Sequence, residues 1–292
     1  MIITNIISGL GNQLFQYAVG KQLALTNNTS LKLNISFFNN QNLRSYKLDH
    51  FNIDATIIEP NELSKFLHFY TQKTLPYEIF RKFIQLVPRK DRKLFEEQKD
   101  WDYDEQLFKV SSDAYISGYW QNYKYFENLK PEILKELAIK STYLIGINKD
   151  LNTIKNSENA VSVHVRRGDY ITDKAANHLM GVVPLSYYTD SINILNSKTE
   201  KPEFYFFSDD LHWVKENFKG HNYHYINSGA DYTDLHLMQN CKHNIIANSS
   251  FSWWGAFLNQ NPDKIVIAPK NWVTNSEVNK RIEITFPSWI KL

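Results

Sequence analysis

Hydrophobic positions along the chain change period in a regular way. Ile2 to Ser8 is a short β-branched run, GLGNQ then turns the chain, and Leu14, Phe15, Ala18, Val19, Leu23 and Ala24 recur at helical spacing. Strand, glycine turn and helix follow from that change of period, and Leu31 to Ile35 resumes as a strand, the start of a βαβ unit. Between Asn61 and Asp104 the pattern is weaker. Amphipathic stretches at Glu62 to Phe69 and Glu78 to Leu86, with a charge-rich KDRKLFEEQKD behind Pro88, predict a helical, loop-rich middle. Asp113 to Gly118 predicts a strand, and Tyr125 to Leu137 a helix in which Pro131 marks a break or a new first turn.

The second half is clearer. Val161 to Val165, Glu203 to Phe207, Tyr223 to Ile226, Asn244 to Ala247 and Lys264 to Ala268 read as five short apolar strands. Helical patterns separate them: Leu211, Val214 and Phe218 share one face, Thr233 is placed to cap a helix carrying Leu235, Leu237, Met238 and Cys241, and Ser250 to Leu258 forms another. Short apolar strands alternating with helices imply an α/β fold whose parallel sheets are covered on both faces. The polar, weakly periodic stretch Lys149 to Asn159 is the expected join between a domain spanning 1–155 and one spanning 156–292.

Composition narrows the class. A formal charge of +2 over 292 residues is too small for a nucleic-acid binder, so any anion site must be local. The single cysteine, Cys241, excludes an internal disulfide and suits a reducing compartment. MIITNIISGLGNQ has neither the basic nor the apolar region of a signal peptide, and no run approaches the roughly 18 apolar residues needed to cross a bilayer. A cytoplasmic protein is expected, with at most peripheral contact at the inner membrane face.

Candidate chemistry gathers where parallel strands end. In open α/β sheets, ligands bind beyond the carboxyl ends of the strands, where loops and helix N-termini present N–H groups. HVRRGD follows the first strand of the second half, FSDD the second, and NSSFSWW the fourth. Arginine's planar fork matches phosphate oxygens bidentately, so Arg166 or Arg167 suits a diphosphate, with hydroxyl and backbone donors from Ser249 and Ser250. Alternation along a strand sends the two arginines to different sides. One faces the ligand; the other pairs with a carboxylate, Asp169 or one of Asp209 and Asp210. Near the N-terminus, Leu14 stands where GxGxxG needs its third glycine, so the dinucleotide fingerprint fails, and Asn12 and Gln13 suggest contacts to hydroxyls or a pyrophosphate instead. Asp102-Tyr103-Asp104 has a metal-holding DxD form, but no strand leads into it, and no metal is expected.

GLGNQLFQYAVGKQLA, HVRRGDY, FYFFSDD and DLHLMQNCKHNIIANSSFSWWGAFLN, in that order, resemble glycosyltransferase family 11, the α-1,2-fucosyltransferases. The resemblance runs from Ser8 to about Asn259 and is poorest over 39–115. It implies a GT-B-type architecture of two Rossmann-like domains with a cleft between them, GDP-fucose on the C-terminal domain and the acceptor toward the N-terminal one. It implies an inverting transfer of L-fucose from GDP-β-L-fucose to the 2-hydroxyl of a terminal β-galactoside, in an oligosaccharide or lipid-linked glycan, with no cofactor and no obligatory metal. Residue by residue, it places Arg166 on the β-phosphate with His164 beside it, Asn12 in the shared turn, and Ser249, Ser250 and Phe251 around phosphates and guanosine. Asp234 becomes an acceptor for guanine or ribose. Asp169 and Asp173 are the candidates for the general base, with Asp169 equally a structural partner of Arg167, which is expected to hold the loop through a nearby aspartate. Another linkage or acceptor, or a non-catalytic sugar-nucleotide or glycan binder, remains the alternative.

Overall fold

The computed structural model describes residues 1–40, 43–68 and 86–292; the stretch 78–86, expected to be amphipathic, lies almost wholly outside them. The chain divides into two compact units, Met1–Ala138 and Ile139–Leu292, a division that falls ahead of the expected boundary at 155. Lys149 to Asn159 is not a linker. A helix, Asn148–Asn156, occupies it, burying Ile154 and half-burying Leu151.

The first unit carries a five-stranded parallel sheet in the order β3-β2-β1-β5-β4, where β1 is Ile2–Asn5, β2 Leu31–Asn34, β3 Thr56–Ile57, β4 Leu94–Glu96 and β5 Ala114–Ser117. Ile2 aligns with Leu31 on one side and Ala114 on the other, so β1 is buried centrally. Its partner helix, Leu10–Thr26, is buried around most of its circumference rather than along the single stripe that the sequence suggests. Polar residues on it are therefore matched: Lys21 pairs with Glu136 at 2.8 Å and Asp54 at 2.9 Å. The expected helix over 125–137 is shorter. Pro131 sits in the first turn of Lys130–Glu136, where its missing N–H has no intrahelical role.

The second unit is a six-stranded parallel sheet in the order β11-β10-β9-β6-β7-β8. Its strands are β6 Asn159–Val165, β7 Pro202–Ser208, β8 Tyr223–Tyr225, β9 His243–Ile245, β10 Val266–Ala268 and β11 Ile290–Lys291. Counted from β6, this is the 3-2-1-4-5-6 order of a Rossmann sheet, with the order reversing between β6 and β9. The β11 pairing is absent from the sequence reading because two residues carry no periodicity. Val161, Val163 and Val165 pack on Tyr187, Tyr188, Ile192, Phe204 and Phe206, while alternation turns Ser162 and His164 to the other face. There Asn244 is fully engaged, donating to Ser162 Oγ at 2.7 Å and Met238 O at 3.1 Å and accepting from Asn259 Nδ2 at 2.8 Å. Thr233 does not cap its helix. The helix starts at Asp231, and the Thr233 hydroxyl donates back to Ala230 O from within the first turn.

Asn244→Ala takes from the buried Ser162 Oγ its Asn244 donor, at about 1–3 kcal/mol, while Met238 O keeps the Cys241 N–H at 3.3 Å. A fall in the urea midpoint of the second unit with unchanged m is expected; an unmoved midpoint would show that the trio contributes no stability.

Candidate functional site

Parallel pairing brings the three polar clusters together. His164 aligns with Phe207 and Val165 with Ser208, so β6 and β7 end side by side, and β9 flanks β6 on the other side. The chain leaving β6 turns at Arg166 and Arg167 into a short helix, Gly168–Thr172.

Arg166 is held by two carboxylates: Nη2 lies 2.7 Å from Asp169 Oδ1 and Nη1 2.8 Å from Asp209 Oδ2. Its guanidinium also stands 5.5 Å from the Tyr170 ring centre. Both contacts are ion pairs, and the side chain is 23% exposed, so a ligand can reach the guanidinium fork. Arg167 faces elsewhere. Its Nε donates to Asp210 Oδ2 at 3.1 Å, and its guanidinium stacks 3.9 Å from the centre of the Trp213 ring. Both arginines pair with carboxylates, Arg167 with Asp210 and Arg166 with Asp169 and Asp209. Asp169 is not the partner of Arg167; the i,i+3 spacing across the short helix aims it at Arg166 instead. Asp173 caps the helix Lys174–Met180, accepting from Ala175 N at 2.8 Å and Ala176 N at 3.2 Å, and so has a structural use.

Asp209 joins the two loops. Oδ1 accepts the Arg167 backbone N–H at 2.9 Å while Oδ2 holds Arg166. The approach is close enough that a Cβ on residue 168 would stand 2.6 Å from Asp209 Oδ2, which explains Gly168. Three carboxylates thus face two guanidinium groups, so attraction for an anion comes from aimed donors rather than net charge. Further donors lie at the end of β9, where Ser249 precedes the helix Ser250–Leu258 without a side-chain cap bond. First-turn N–H groups point out of such an end and favour negative charge. Asn248, just before it, donates to Met180 O at 2.8 Å and Trp272 O at 3.1 Å, and its carbonyl accepts from Tyr170 Oη at 3.1 Å, tying β9 to the arginine loop.

His164 is buried at the same place, its ring 5.4 Å from that of Phe251 and its Nδ1 without a hydrogen-bond partner. Burial pushes its pKa down to about 4, with Arg166 acting the same way and Asp209 opposing both. The ring is neutral near pH 7, able to donate from one nitrogen and accept at the other. Asp234 sits in the first turn of Asp231–Asn240, accepts from Ser228 Oγ at 2.6 Å, and is pushed by burial up to about 6. Above that pH it is an acceptor.

Asn12 belongs to the first unit, at the start of its central helix. Its Nδ2 donates to Ser8 Oγ at 3.0 Å and its Oδ1 accepts from Gln121 Nε2 at 2.6 Å. Gln13, expected to contact ligand, is fully buried and structural: Nε2 donates to Ser8 O and Ser45 O, and Oε1 accepts from Lys47 N. Asp104 of the DxD triplet pairs with Arg89 and caps the following turn by accepting from Gln106 N. His178 and His212 are exposed, as expected of surface histidines. Trp213 escaped the sequence reading, and Asn248 entered it only as the first residue of NSSFSWW. A signal for Trp213 exists, since its N–H donates to Asp210 Oδ1 at 3.1 Å and the same helical turn delivers its ring to Arg167.

A family model, Glycosyl transferase family 11, matches residues 1–292. The chain is 35% identical to an Escherichia coli alpha-1,2-colitosyltransferase, covering 96% of this chain and 94% of the relative. It is 32% identical to the Escherichia coli O-antigen biosynthesis glycosyltransferase WbnK (97% and 98%), and 24% identical to the galactoside alpha-(1,2)-fucosyltransferase 2 of Rattus norvegicus (88% and 67%). Among solved structures, the fucosyltransferase NodZ from Bradyrhizobium superposes with a TM-score of 0.51 at 14% identity, covering 87% of this chain and 91% of that one. The GT-B-type α/β fold is shared despite that low identity.

Because the folded His164 pKa lies below its unfolded value of 6.5, the unfolded state binds more protons between pH 6.5 and about 4. The stability this histidine contributes is present above pH 6.5 and lost as pH falls to about 4, an amount of roughly 3 kcal/mol. Unfolding free energies of wild type and His164→Asn, measured from pH 7 to pH 4, should converge by that amount; parallel curves would contradict a neutral buried imidazole.

Proposed function

Since the chain belongs to glycosyl transferase family 11, we propose that it moves L-fucose from GDP-β-L-fucose to the 2-hydroxyl of a terminal β-galactoside, with inversion at the anomeric carbon. The observation that carries this reading is Arg166, held by ion pairs to Asp169 and Asp209 at the carboxyl end of β6 with its side chain 23% exposed. As the bond from C1 of the sugar to the β-phosphate oxygen breaks, its electron pair leaves with GDP and negative charge grows on that oxygen. Donors fixed beforehand meet that charge without reorganising. Arg166 is thus the catalytic donor, Asp169 and Asp209 position it, and His164, Ser249, Ser250 and Phe251 complete the wall toward GDP. Asp234 accepts from the guanine or ribose, and Asn12 is assigned to the donor as well. No metal is needed, because the fork and the helix N-terminus supply the charge stabilisation.

The α-1,2 names of two relatives support the linkage, and the galactoside name of the rat relative supports the acceptor class. A specific observation favours a second donor. The relative at 35% identity is named for colitose, which is fucose lacking the 3-hydroxyl, so GDP-colitose stands beside GDP-fucose. The reaction at C1 and the work of Arg166 are the same for both. No described helix is long and apolar enough to cross a membrane, which fits peripheral action on a lipid-linked glycan at the cytoplasmic face.

Arg166→Lys keeps the charge but loses the fork, and should lower kcat by roughly 10²- to 10³-fold with either donor. Incubation of the purified chain with GDP-fucose or GDP-colitose and a panel of galactosides, with and without EDTA, followed by linkage analysis of products, tests the whole reading. A near-wild-type rate in the lysine variant, or activity abolished by EDTA, would refute it.

A further inference from the structure

The triplet Asp102-Tyr103-Asp104 has no part in the donor site. Its carboxylates are not arranged for a metal: Asp104 is committed to Arg89 and Gln106, and among the described residues no group of His, Cys, Asp and Glu side chains could hold an ion. What the triplet fixes is an aromatic wall. The Tyr125 hydroxyl accepts Asp104 N at 2.8 Å and donates to Asp102 O at 3.0 Å, so the backbone on both sides of Tyr103 is pinned to Tyr125. The Tyr103 ring then stands 5.0 Å from that of Tyr125. Phe108, from the short turn Glu105–Lys109, completes the group at 6.4 Å from Tyr103 and 6.2 Å from Tyr125. Behind Tyr125 the buried Trp120 packs edge-on at 5.9 Å.

These three rings line a cavity of about 380 Å³, within the size range of ligand sites. The rest of its lining is polar, from Gln22, Lys124, Glu127 and Asn128, and all of it belongs to the first unit. Gln22 lies ten residues along the central helix from Asn12, roughly 15 Å at the helical rise. The cavity is thus set back from the strand ends and shares no residue with the bonds that link Asn12 to Gln121 and Gln121 to Trp101. Its polar groups are open where those amides are committed. Among the described residues Glu127 and Asn128 make no hydrogen bond or ion pair, and the Tyr103 hydroxyl has no partner. Gln22 gives one amide N–H to Thr26 Oγ1 at 3.0 Å and keeps its carbonyl oxygen for another donor. Lys124 comes from the turn Tyr123–Tyr125, capped by Asn122, and its Nζ stands 5.8 Å from the Tyr103 ring centre. Burial raises the Tyr103 pKa, Glu105 adding to it, Lys124 opposing and Glu127 adding again, so the hydroxyl stays a donor.

We infer that this cavity is a sugar-binding site, separate from the strand ends, that takes a neutral pyranose ring against Tyr103. A pyranose has an apolar C–H face and a rim of hydroxyls that each donate and accept. The face matches the fixed rings; the rim matches the Glu127 carboxylate, the Asn128 amide, the Gln22 carbonyl and the Tyr103 hydroxyl. One cation and one anion line the cavity, so a phosphate would meet Glu127 and an amine would meet Lys124. A wholly apolar ligand would strand four polar groups. The binding is independent of the transfer reaction. Held there by one ring, a glycan of several units stays at high local concentration around the protein.

The test is fluorine NMR of the full chain labelled with fluorotyrosine, the Tyr103 signal being assigned by its loss in Tyr103→Phe. Methyl galactoside, glucoside and mannoside are titrated separately, with inorganic phosphate as the anionic control. The Tyr103 signal should move saturably with at least one of the glycosides, with a dissociation constant on the order of 1 mM, and stay still with phosphate. Glu127→Ala, at an exposed position, should weaken that constant roughly tenfold. A signal unmoved by all three glycosides, one moved by phosphate alone, or a constant unchanged in Glu127→Ala would overturn the assignment. If Glu127→Ala disturbs the fold, Asn128→Ala takes its place with the same expectation. Transfer from GDP-fucose is measured on the same samples: a moving Tyr103 signal without transfer would refute the proposed reaction and leave this site standing, and transfer with a silent signal would do the reverse.

Discussion

One carboxylate organises the candidate donor site. Asp209 accepts the Arg167 backbone N–H through Oδ1 and the Arg166 guanidinium through Oδ2, so the loop after β7 fixes both the path and the charge of the loop after β6. Both bonds depend on β6 and β7 pairing in parallel register to their ends, with Val165 opposite Ser208. They also depend on residue 168 having no Cβ. Asp169 then completes the grip on Arg166, and the Asp210 and Trp213 pair takes Arg167 away from it. Adjacent arginines, which repel in isolation, are in this way given separate neutralising partners. Only one of them needs to meet a ligand.

The same constraint explains why the site lies at the reversal of strand order. β6 has β7 on one side and β9 on the other, so helices and loops leave in diverging directions and open a space over its end. The helix Ser250–Leu258 brings its N-terminus to that space, while its body buries Trp253, Trp254 and Phe257 in an aromatic cluster with Phe286 and Trp289. Much of the high aromatic content is therefore packing. At the candidate site, the ring of Phe251 stands against His164 and that of Trp213 against Arg167. In the first unit, hydrogen bonds through Asn12 and Gln121 link Ser8 and Trp101, both of positive φ, and the Glu97 carboxylate beyond β4 accepts the backbone N–H groups of Tyr119 and Trp120.

Much of this was legible in the residues. Period-two runs and helical spacing located most strands and helices, because burial on both faces of a parallel sheet demands continuous apolar runs. The motifs HVRRGD, FSDD and NSSF were expected at the carboxyl ends of neighbouring strands, and the parallel pairing of β6 with β7 and β9 brings them together there. What misled was polarity. Lys149 to Asn159 reads as a linker, but one buried Ile154 suffices to dock a helix. Gln13 reads as a ligand contact, yet a helix buried on nearly all sides needs its amide to satisfy the loop at Ser45 and Lys47.

By itself the sequence determined the class of fold, the three polar clusters at the strand ends and the family, since each depends on local spacing or on motifs contiguous in the chain. Only the tertiary structure decided which aspartate serves which arginine. Asp169, Asp209 and Asp210 are equivalent as residue types, and their assignment follows from strand register and helix phase across more than forty residues of chain. Glu97 was invisible for the same reason. Nothing near it in sequence marks it, and its character comes from two N–H groups at Tyr119 and Trp120, delivered by the neighbouring strand.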